Sequence, residues 1–303
     1  MSHLLRIDPE VDETLRAGGG VVALETTLVS HGFPRGEGAD VALECERRVR
    51  AAGAVPATIG VADGAVHVGM DEALLIRFAE TGSKARKVGP RDLAACAVQA
   101  ALGATTVGGT LAVCRLARVR FMGTGGLGGV HRGWTETLDV SADLAQLART
   151  DALVVASGVK SLLDVSATAE ALEALGVPVL GWRTDELPLF YTAQGGPPVS
   201  ARVESVEEAA NVARMHWALG RDSGVLVGRP PDESLDVEPL VEEALARASR
   251  QGITGQAVTP FVLAYLHEAS DGRTRVLNAE LVAANAELAA KVAVAYSHAE
   301  VEQ

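Results

Sequence analysis

Short apolar runs alternate with stretches of helical spacing along almost the whole chain, and no other feature restricts the fold as strongly. Val21 to Leu24 reads as a buried strand that ends at Glu25. Ala57 to Val61, Ala65 to Val68, Val119 to Met122, Ala152 to Ala156, Val177 to Leu180 and Gly224 to Val227 read as further strands. Between them, residues 40–52, 71–80, 92–102 and 161–175 have helical spacing, Ser141 opens a helix, and Ser205 with Glu208 forms a capping box before another. From Glu238 onward the pattern is helical, through 262–269 and 280–295. Asp8-Pro9 has the form of an N-cap followed by proline at the first helical position, Gly18 to Gly20 close that helix, and Asp63-Gly64 is a hairpin signal. Strands separated by helices pair in parallel with helices on the faces. The expected architecture is therefore α/β, a three-layer α/β/α sandwich with a mostly parallel central sheet. A β/α barrel fits the length, but the paired helices at the end break its strict repeat. With no internal repeat, low-complexity segment or clear linker, residues 1–303 are expected to form a single domain, and Gly195-Gly196-Pro197-Pro198 reads as a loop within it.

Composition excludes several function classes. The net charge is −12, from 27 basic and 39 acidic residues, with no basic stripe, so no nucleic-acid partner is expected. A small anionic ligand remains compatible, because a local pocket can be positive on an acidic protein. Cys45, Cys96 and Cys114 form no C-x-x-C pair, and an odd number cannot all close into disulfides; they read as structural thiols in a reducing compartment. Residues 1–10 carry acids and no apolar run, and no stretch reaches the roughly 20 apolar residues of a membrane span. The expected location is cytoplasmic.

Ligand sites of α/β proteins lie beyond the carboxyl ends of the strands. Those ends carry Glu25, Gly123-Thr124-Gly125-Gly126, Gly158-Val159-Lys160 and Gly228-Arg229-Pro230. Lys160 is conspicuous because only Lys84, Lys87, Lys160 and Lys291 are lysines among the 27 basic residues. A desolvated lysine can lose its proton and act as a nucleophile, which arginine cannot; the plainer alternative is a solvated lysine at a helix start. Glu25, part-buried at a strand end, suits acid/base work through a raised pKa, or is a hydrogen-bonded strand-end carboxylate. Asp139 and Asp143, four apart, offer oxygen ligands to a hard divalent cation, or belong to a helix start capped by Ser141. The glycine run 123–129 lets backbone amides approach an anion but is neither a phosphate loop nor a convincing dinucleotide fingerprint. Thr105-Thr106-Val107-Gly108-Gly109, before a helical pattern beginning near Thr110, is a second candidate phosphate seat. Lys87 neutralises a phosphate or belongs to a solvated basic patch. His131 among glycines is a candidate proton shuttle. His216 and His267 read as structural, Asn278 as a cap or turn residue, and Asn285 as a buried amide in need of a polar partner.

Taken together, residues 21–27, 30–32, 53–59, 87–92, 103–107, 123–133, 139–143, 158–164 and 259–261 resemble the pseudouridine-5′-phosphate glycosidase family, also called the indigoidine synthase A-like family. The similarity runs from about Ile7 to Ala295, and the combination is specific although each piece alone is weak. The resemblance implies reversible cleavage of the C–C glycosidic bond of pseudouridine 5′-phosphate to uracil and ribose 5-phosphate, formally a carbon–oxygen lyase of the hydro-lyase kind. It also implies an α/β/α fold, a homotrimer and one divalent cation per subunit, Mn2+ or another such as Mg2+. Lys160 matches the family's nucleophile, which forms an imine or iminium adduct with the ring-opened sugar, and Glu25 its proton donor. Asp139 matches the metal ligand, with waters completing the shell. Ser141, Ala142 and Asp143 match a substrate-contacting segment, Lys87 a lysine near the phosphate, and Val107, beside Thr106, a backbone contact. Thr124, His131 and Asn285 match positions near the substrate. The residue types agree with the chemistry: a C-glycoside has no heteroatom leaving group, so an imine must serve as electron sink and an acid must protonate the base carbon. The chain departs from the family pattern at Thr26, Gly89-Pro90, Trp134 and Val159, which leaves the proposed catalytic groups in place. A Schiff-base aldolase acting on a sugar phosphate and a non-catalytic nucleotide-binding protein are the competing classes.

Overall fold

The structure, a computed structural model, describes residues 4–160 and 162–301. Its strands are β1 (Leu5–Ile7), β2 (Val21–Glu25), β3 (Val55–Ala62), β4 (Ala65–Val68), β5 (Arg86–Val88), β6 (Gly103–Thr105), β7 (Phe121–Gly123), β8 (Leu153–Ala156), β9 (Val179–Trp182), β10 (Ala201–Val203) and β11 (Val225–Gly228). They form one sheet in the order β1-β4-β3-β2-β7-β8-β11-β9-β10, with β6 added to β3 and β5 to β6. Every pairing is parallel except β3 with β4 and β3 with β6. The sheet is open, with β1 and β10 at the ends of the path, so the described residues do not form the barrel that the aldolase reading requires. The antiparallel pair turns at Asp63-Gly64, where φ is +50° and +75°; two successive positive φ values are what a two-residue hairpin turn demands.

Around the sheet lie α1 (Pro9–Arg16), α2 (Thr27–His31), α3 (Gly38–Ala51), α4 (Glu72–Thr81), α5 (Leu93–Val98), α6 (Val107–Ala117), α7 (Trp134–Thr137), α8 (Ala142–Leu147), α9 (Val165–Ala174), α10 (Val206–Ala218), α11 (Glu238–Arg250), α12 (Val258–Ala269) and α13 (Arg273–Val301). The period-2 geometry of the strands sorts their side chains into two cores. Val21 and Ala23 of β2, Val154 and Ala156 of β8 and Leu226 of β11 pack with α1, α6, α8 and α9 on one face. Val22 and Leu24, Leu153 and Val155, and Val225 and Val227 pack with α3, α10 and α13 on the other. Uniformly apolar runs are thus explained: both faces are covered, and burial of each such Val or Leu side chain contributes roughly 1.5–3 kcal/mol. The expected three-layer sandwich is what forms.

Several boundaries differ from the sequence pattern, each for a local reason. The stretch 92–102 is not one helix; α5 ends at Val98, and Gly103–Thr105 becomes β6. Gly103 admits no side chain there, because a Cβ would press on Val88 Cγ2 at 2.8 Å and on the Cys96 sulfur. Helix α6 begins at Val107 rather than near Thr110, with the Thr106 hydroxyl accepting the Gly109 amide at 3.1 Å. Gly108 and Gly109, poor helix formers, are needed because a Cβ would stand 3.0 Å from Asp143 Oδ1 at the first and collide with the Val88 carbonyl at the second. Helix α9 starts at Val165, capped by Asp164, and its expected start at Ser161 lies outside the described residues. The run at 177–180 becomes β9 two residues later, at Val179–Trp182. Cys45, Cys96 and Cys114 are free and buried; burial pushes Cys45 and Cys114 up to about 12, leaving unreactive thiols. No helix of the described residues is long and apolar enough to cross a membrane.

One glycine at the edge of the ligand side is sterically obligatory. Gly158 has φ +78°, and a Cβ on it would collide with the Pro188 carbonyl oxygen. Gly158→Ala should therefore destabilise the fold by about 2 kcal/mol or more, read as a lower urea midpoint at unchanged m-value.

Candidate active site

Strand order reverses between β2 and β7: the chain builds outward through β3 and β4 on one side and through β8 and β11 on the other. Such a switch point leaves a crevice beyond the carboxyl ends of the strands. A cavity of about 520 Å³ lies there. Glu25, Lys87, Thr106, Val107, His131, Asp139, Ser141, Ala142, Asp143 and Lys160 all line it, although they span 136 positions of sequence between Glu25 and Lys160 (160 − 25 + 1). Thr124 and Asn285 do not.

Glu25 closes β2 and is 8% exposed. Its Oε1 accepts a 2.5 Å hydrogen bond from the Thr124 hydroxyl, which leaves Oε2 to carry a proton. Burial raises its pKa, against the opposing charges of Lys160 and Lys87 and the Thr124 bond. Lys160, after β8, is held by its own amide, which donates to the Leu127 carbonyl at 3.2 Å, and its stem passes the face of Gly126, whose absent side chain would stand 3.3 Å from Lys160 Cγ. Phe190, at φ +66°, lies against the same face of Gly126, where a Cβ would be 2.6 Å from its ring. A bulky residue in the left-handed region is strained backbone of the kind found where a ring must be presented to a site. Lys87 of β5 is half-buried, and burial together with the Lys160 charge lowers its pKa.

Asp143 is 5% exposed, and both its oxygens are taken. Oδ1 accepts the Gly108 amide at 2.7 Å and Oδ2 the Gly128 amide at 3.0 Å. Ser141 caps α8 by accepting the Asp143 amide at 3.2 Å. The capping alternative therefore describes this segment locally, and Asp143 adds a clamp between α6 and the glycine run. That run serves packing more than anion approach: the Leu127 amide donates to the Gly158 carbonyl and the Val130 amide to the Thr168 hydroxyl.

His131 and Asp139 face each other because the chain between them doubles back, with a Val130–Val140 bridge and the His131 amide donating to the Asp139 carbonyl at 3.1 Å. Their side chains meet at 3.8 Å. Burial first, then Lys87 and Lys160, lower the His131 pKa, while Asp139 opposes them, so the ring is neutral at neutral pH. Among the described residues no group of three or more His, Cys, Asp or Glu is arranged to enclose a metal ion. Asp139 alone, on the cavity wall, suits a hard divalent cation that keeps most of its waters.

Asn285 lies beneath the cavity rather than on its wall. Its Nδ2 donates to the Thr124 carbonyl at 2.8 Å, the Gly125 carbonyl at 3.4 Å and the Ser157 hydroxyl at 3.0 Å, tying the ends of β7 and β8 to α13. The polar partners sought from the sequence are two backbone carbonyls and a serine hydroxyl. Asn278 was expected at a cap or turn; it sits inside α13, 2% exposed, lines the cavity, and its Oδ1 is buried without a partner. Its signal in the sequence is its place seven residues before Asn285, two turns along one helix face. His216 and His267 are structural as expected, bonded to Ser223 at 2.9 Å and Thr274 at 2.9 Å. Val159 is fully buried in the core, and Thr26 keeps its hydroxyl on the Ile59 carbonyl at 2.8 Å.

The sequence matches the family described as Indigoidine synthase A like protein over residues 10–295. It is 48% identical to the pseudouridine-5′-phosphate glycosidase of Salinispora tropica, over 96% of this chain and 91% of that one. It is 44% identical to the protein of the same name from Herpetosiphon aurantiacus, over 96% and 97%. Among solved structures, the prealnumycin C-glycosynthase AlnA in complex with ribulose 5-phosphate superposes with a TM-score of 0.90 at 38% identity over the whole of both chains. An indigoidine synthase A (IdgA)-like protein from Thermotoga maritima superposes with a TM-score of 0.88 at 34% identity over 97% of both.

Burial of Glu25 has a measurable cost to the fold. Because its folded pKa is raised, the native state holds a proton that the unfolded chain releases above the ordinary value of 4.5, so stability falls as pH rises from there toward the folded pKa. Glu25→Gln should be more stable than the parent at pH 7, with the difference vanishing below about pH 4, in urea titrations across that range.

Proposed function

We propose that this chain, which belongs to the indigoidine synthase A-like family, interconverts pseudouridine 5′-phosphate and water with uracil and ribose 5-phosphate. The observation that carries the reading is a buried carboxyl at the end of β2 sharing one cavity, and direct electrostatic influence, with Lys160. The names of the relatives and the sugar phosphate bound by AlnA supply the substrate class.

In the cleavage direction the amine of Lys160 bonds to C1′ while the ring oxygen leaves as the C4′ hydroxyl, taking one of the amine's protons. Protonated Glu25 then delivers its proton to C5 of the base. The nitrogen lone pair forms the C=N bond of an iminium at C1′ as the C1′–C5 pair passes into the uracil ring, and water hydrolyses the iminium to release ribose 5-phosphate and regenerate the amine. The net consumption of one water agrees with a hydro-lyase running in reverse. Thr124, held by Asn285, orients Glu25 by fixing Oε1. The starts of α6 and α8, with Thr106, Val107, Ser141 and Ala142, present amides to the phosphate, and Lys87 supplies a positive charge. Asp143 acts here through the backbone it clamps, and neutral His131 stands ready to exchange a proton. Asp139 would hold a hydrated Mn2+ or Mg2+, one per subunit, which when bound supplies positive charge to substrate oxygens. A homotrimer in the cytoplasm completes the proposal; the exposed apolar side chains of Trp134, Leu138 and Val140 beside the cavity are surface that such an assembly would cover, and the free thiols suit a reducing compartment.

Mixing the protein with Mn2+ and pseudouridine 5′-phosphate should release uracil; no uracil across varied metal and pH would sink the assignment. Lys160→Ala should lose turnover by at least about a thousandfold while keeping the parental melting curve, and borohydride should trap sugar on the parent only. Asp139→Ala should raise the Mn2+ concentration needed for half-maximal rate, and an unchanged titration would remove Asp139 from the metal site.

A further inference from the structure

Among the described residues no hydrogen bond or ion pair ends on the Lys160 amine, so the reach of its flexible stem is set by packing. That packing centres on Gly126. A Cβ there would stand 3.3 Å from Lys160 Cγ and 2.6 and 2.8 Å from Cδ2 and Cε2 of the Phe190 ring, so ring and stem share the space that a side chain at 126 would fill. Phe190 and Lys160 both line the cavity, and Phe190 is only 3% exposed. The ring is fixed through its backbone. Its φ of +66° is one that a bulky residue adopts only where its surroundings impose it. The Phe190 amide donates to the Ser157 carbonyl at 2.9 Å, Leu189 bridges Gly158, and the Tyr191 amide closes a turn on the Leu189 carbonyl at 2.8 Å. Tyr191 packs edge-on against the ring, with centroids 4.5 Å apart. Ser157 and Gly158 belong to the short segment that carries Lys160, so the ring is registered to the backbone of the residue it packs beside.

We infer that Phe190 is a positioning residue for Lys160: its ring walls the stem along Gly126 and so fixes where the amine stands in the cavity. The inference deepens the reading of Lys160 as the nucleophile and rests on it. A free lysine stem can carry its amine out of line with a reacting carbon, and such a misplacement costs up to about a hundredfold in rate. An ion pair would also anchor the amine, but as the ammonium, which has no lone pair to give. An apolar wall fixes the stem and leaves the nitrogen free to attack.

The test uses Phe190→Ala and Phe190→Met in the full chain. Both keep a Cβ at the same strained φ, so they differ from the parent in the wall alone, and the methionine thioether refills part of the space. One measurement is kcat and KM for pseudouridine 5′-phosphate. The other is the rate at which cyanoborohydride fixes saturating ribose 5-phosphate to Lys160, located by peptide mass. Phe190→Ala should lower kcat and the trapping rate together by about 10- to 100-fold, with KM within about twofold of the parent. Phe190→Met should recover most of both. Phe190→Leu, nearer the parent in volume, should show the same split with a smaller loss, and it decides the matter if the alanine variant does not fold. A raised KM at unchanged kcat would put the ring on the ligand and overturn the inference. So would parental rates in Phe190→Ala, or rates that fall only in step with the folded fraction in melting curves. If the parent itself fixes no ribose 5-phosphate at Lys160, the nucleophile reading falls, and the inference with it.

Discussion

The site depends on the carboxylate of Asp143, which holds three segments in one place. One oxygen takes an amide at the start of α6, the other an amide of the glycine run, and the residue itself sits in the first turn of α8. Each bond is from a charged acceptor to a buried N–H, the kind that contributes about 1.5–3 kcal/mol, and removing the carboxylate would strand two donors at once. It also dictates its neighbours. Gly108 and Gly128 must lack side chains, since a Cβ on either would stand 2.6–3.0 Å from an Asp143 oxygen. A residue read from its family position as a substrate contact is thus first a clamp, and the two helix starts that would receive a phosphate are adjacent because of it.

Above that clamp the site is assembled by sheet topology. Glu25 ends β2 and Lys160 lies four residues beyond β8, on strands separated only by β7; the backbone ladder fixes the first, and the Lys160 amide bonded to the Leu127 carbonyl anchors the second to the glycine run. Asn285 stiffens the same place from below, through the carbonyls of Thr124 and Gly125. A carboxyl and an amine that share one cavity gain from such rigidity, because a small displacement would change their reach.

What could be read in the sequence follows the same division. The buried strands were legible because a run such as Val21 to Leu24, or Leu153 to Ala156, cannot leave a face in water. Glu25 and Lys160 were singled out at the ends of apolar runs and Asp139 by its spacing to Asp143, each also by the family pattern, and the fold brings all three to one cavity. The missed elements were short and depended on distant partners. β5 and β6 have three residues each, and β6 exists because Gly103 and Ala104 can lie against β3. Helix α6 begins before its apolar periodicity does, since Gly108 and Gly109 are chosen by contacts with Asp143 and Val88 rather than by helix propensity. Asn278 was misplaced for a related reason: the spacing that makes it a companion of Asn285 has meaning only once α13 is known to extend unbroken from Arg273.

The polar atoms on and beneath the cavity wall divide into two sets with different chemistry. Those of Thr124, Ser141, Asp143 and the Asn285 amide nitrogen are satisfied within the protein and fix geometry. Those of Asn278 Oδ1 and His31 Nε2 are buried and unsatisfied, on elements that the chain could have finished with apolar side chains. A buried polar atom without a partner destabilises a fold by about 1–3 kcal/mol, so each is a standing cost to the protein. Desolvation likewise raises the pKa of Glu25, a third group on that wall held at a cost to the fold. All three border one cavity, at the end of the sheet where strand order reverses, and their concentration there is the physical mark of a site shaped for its ligand rather than for stability.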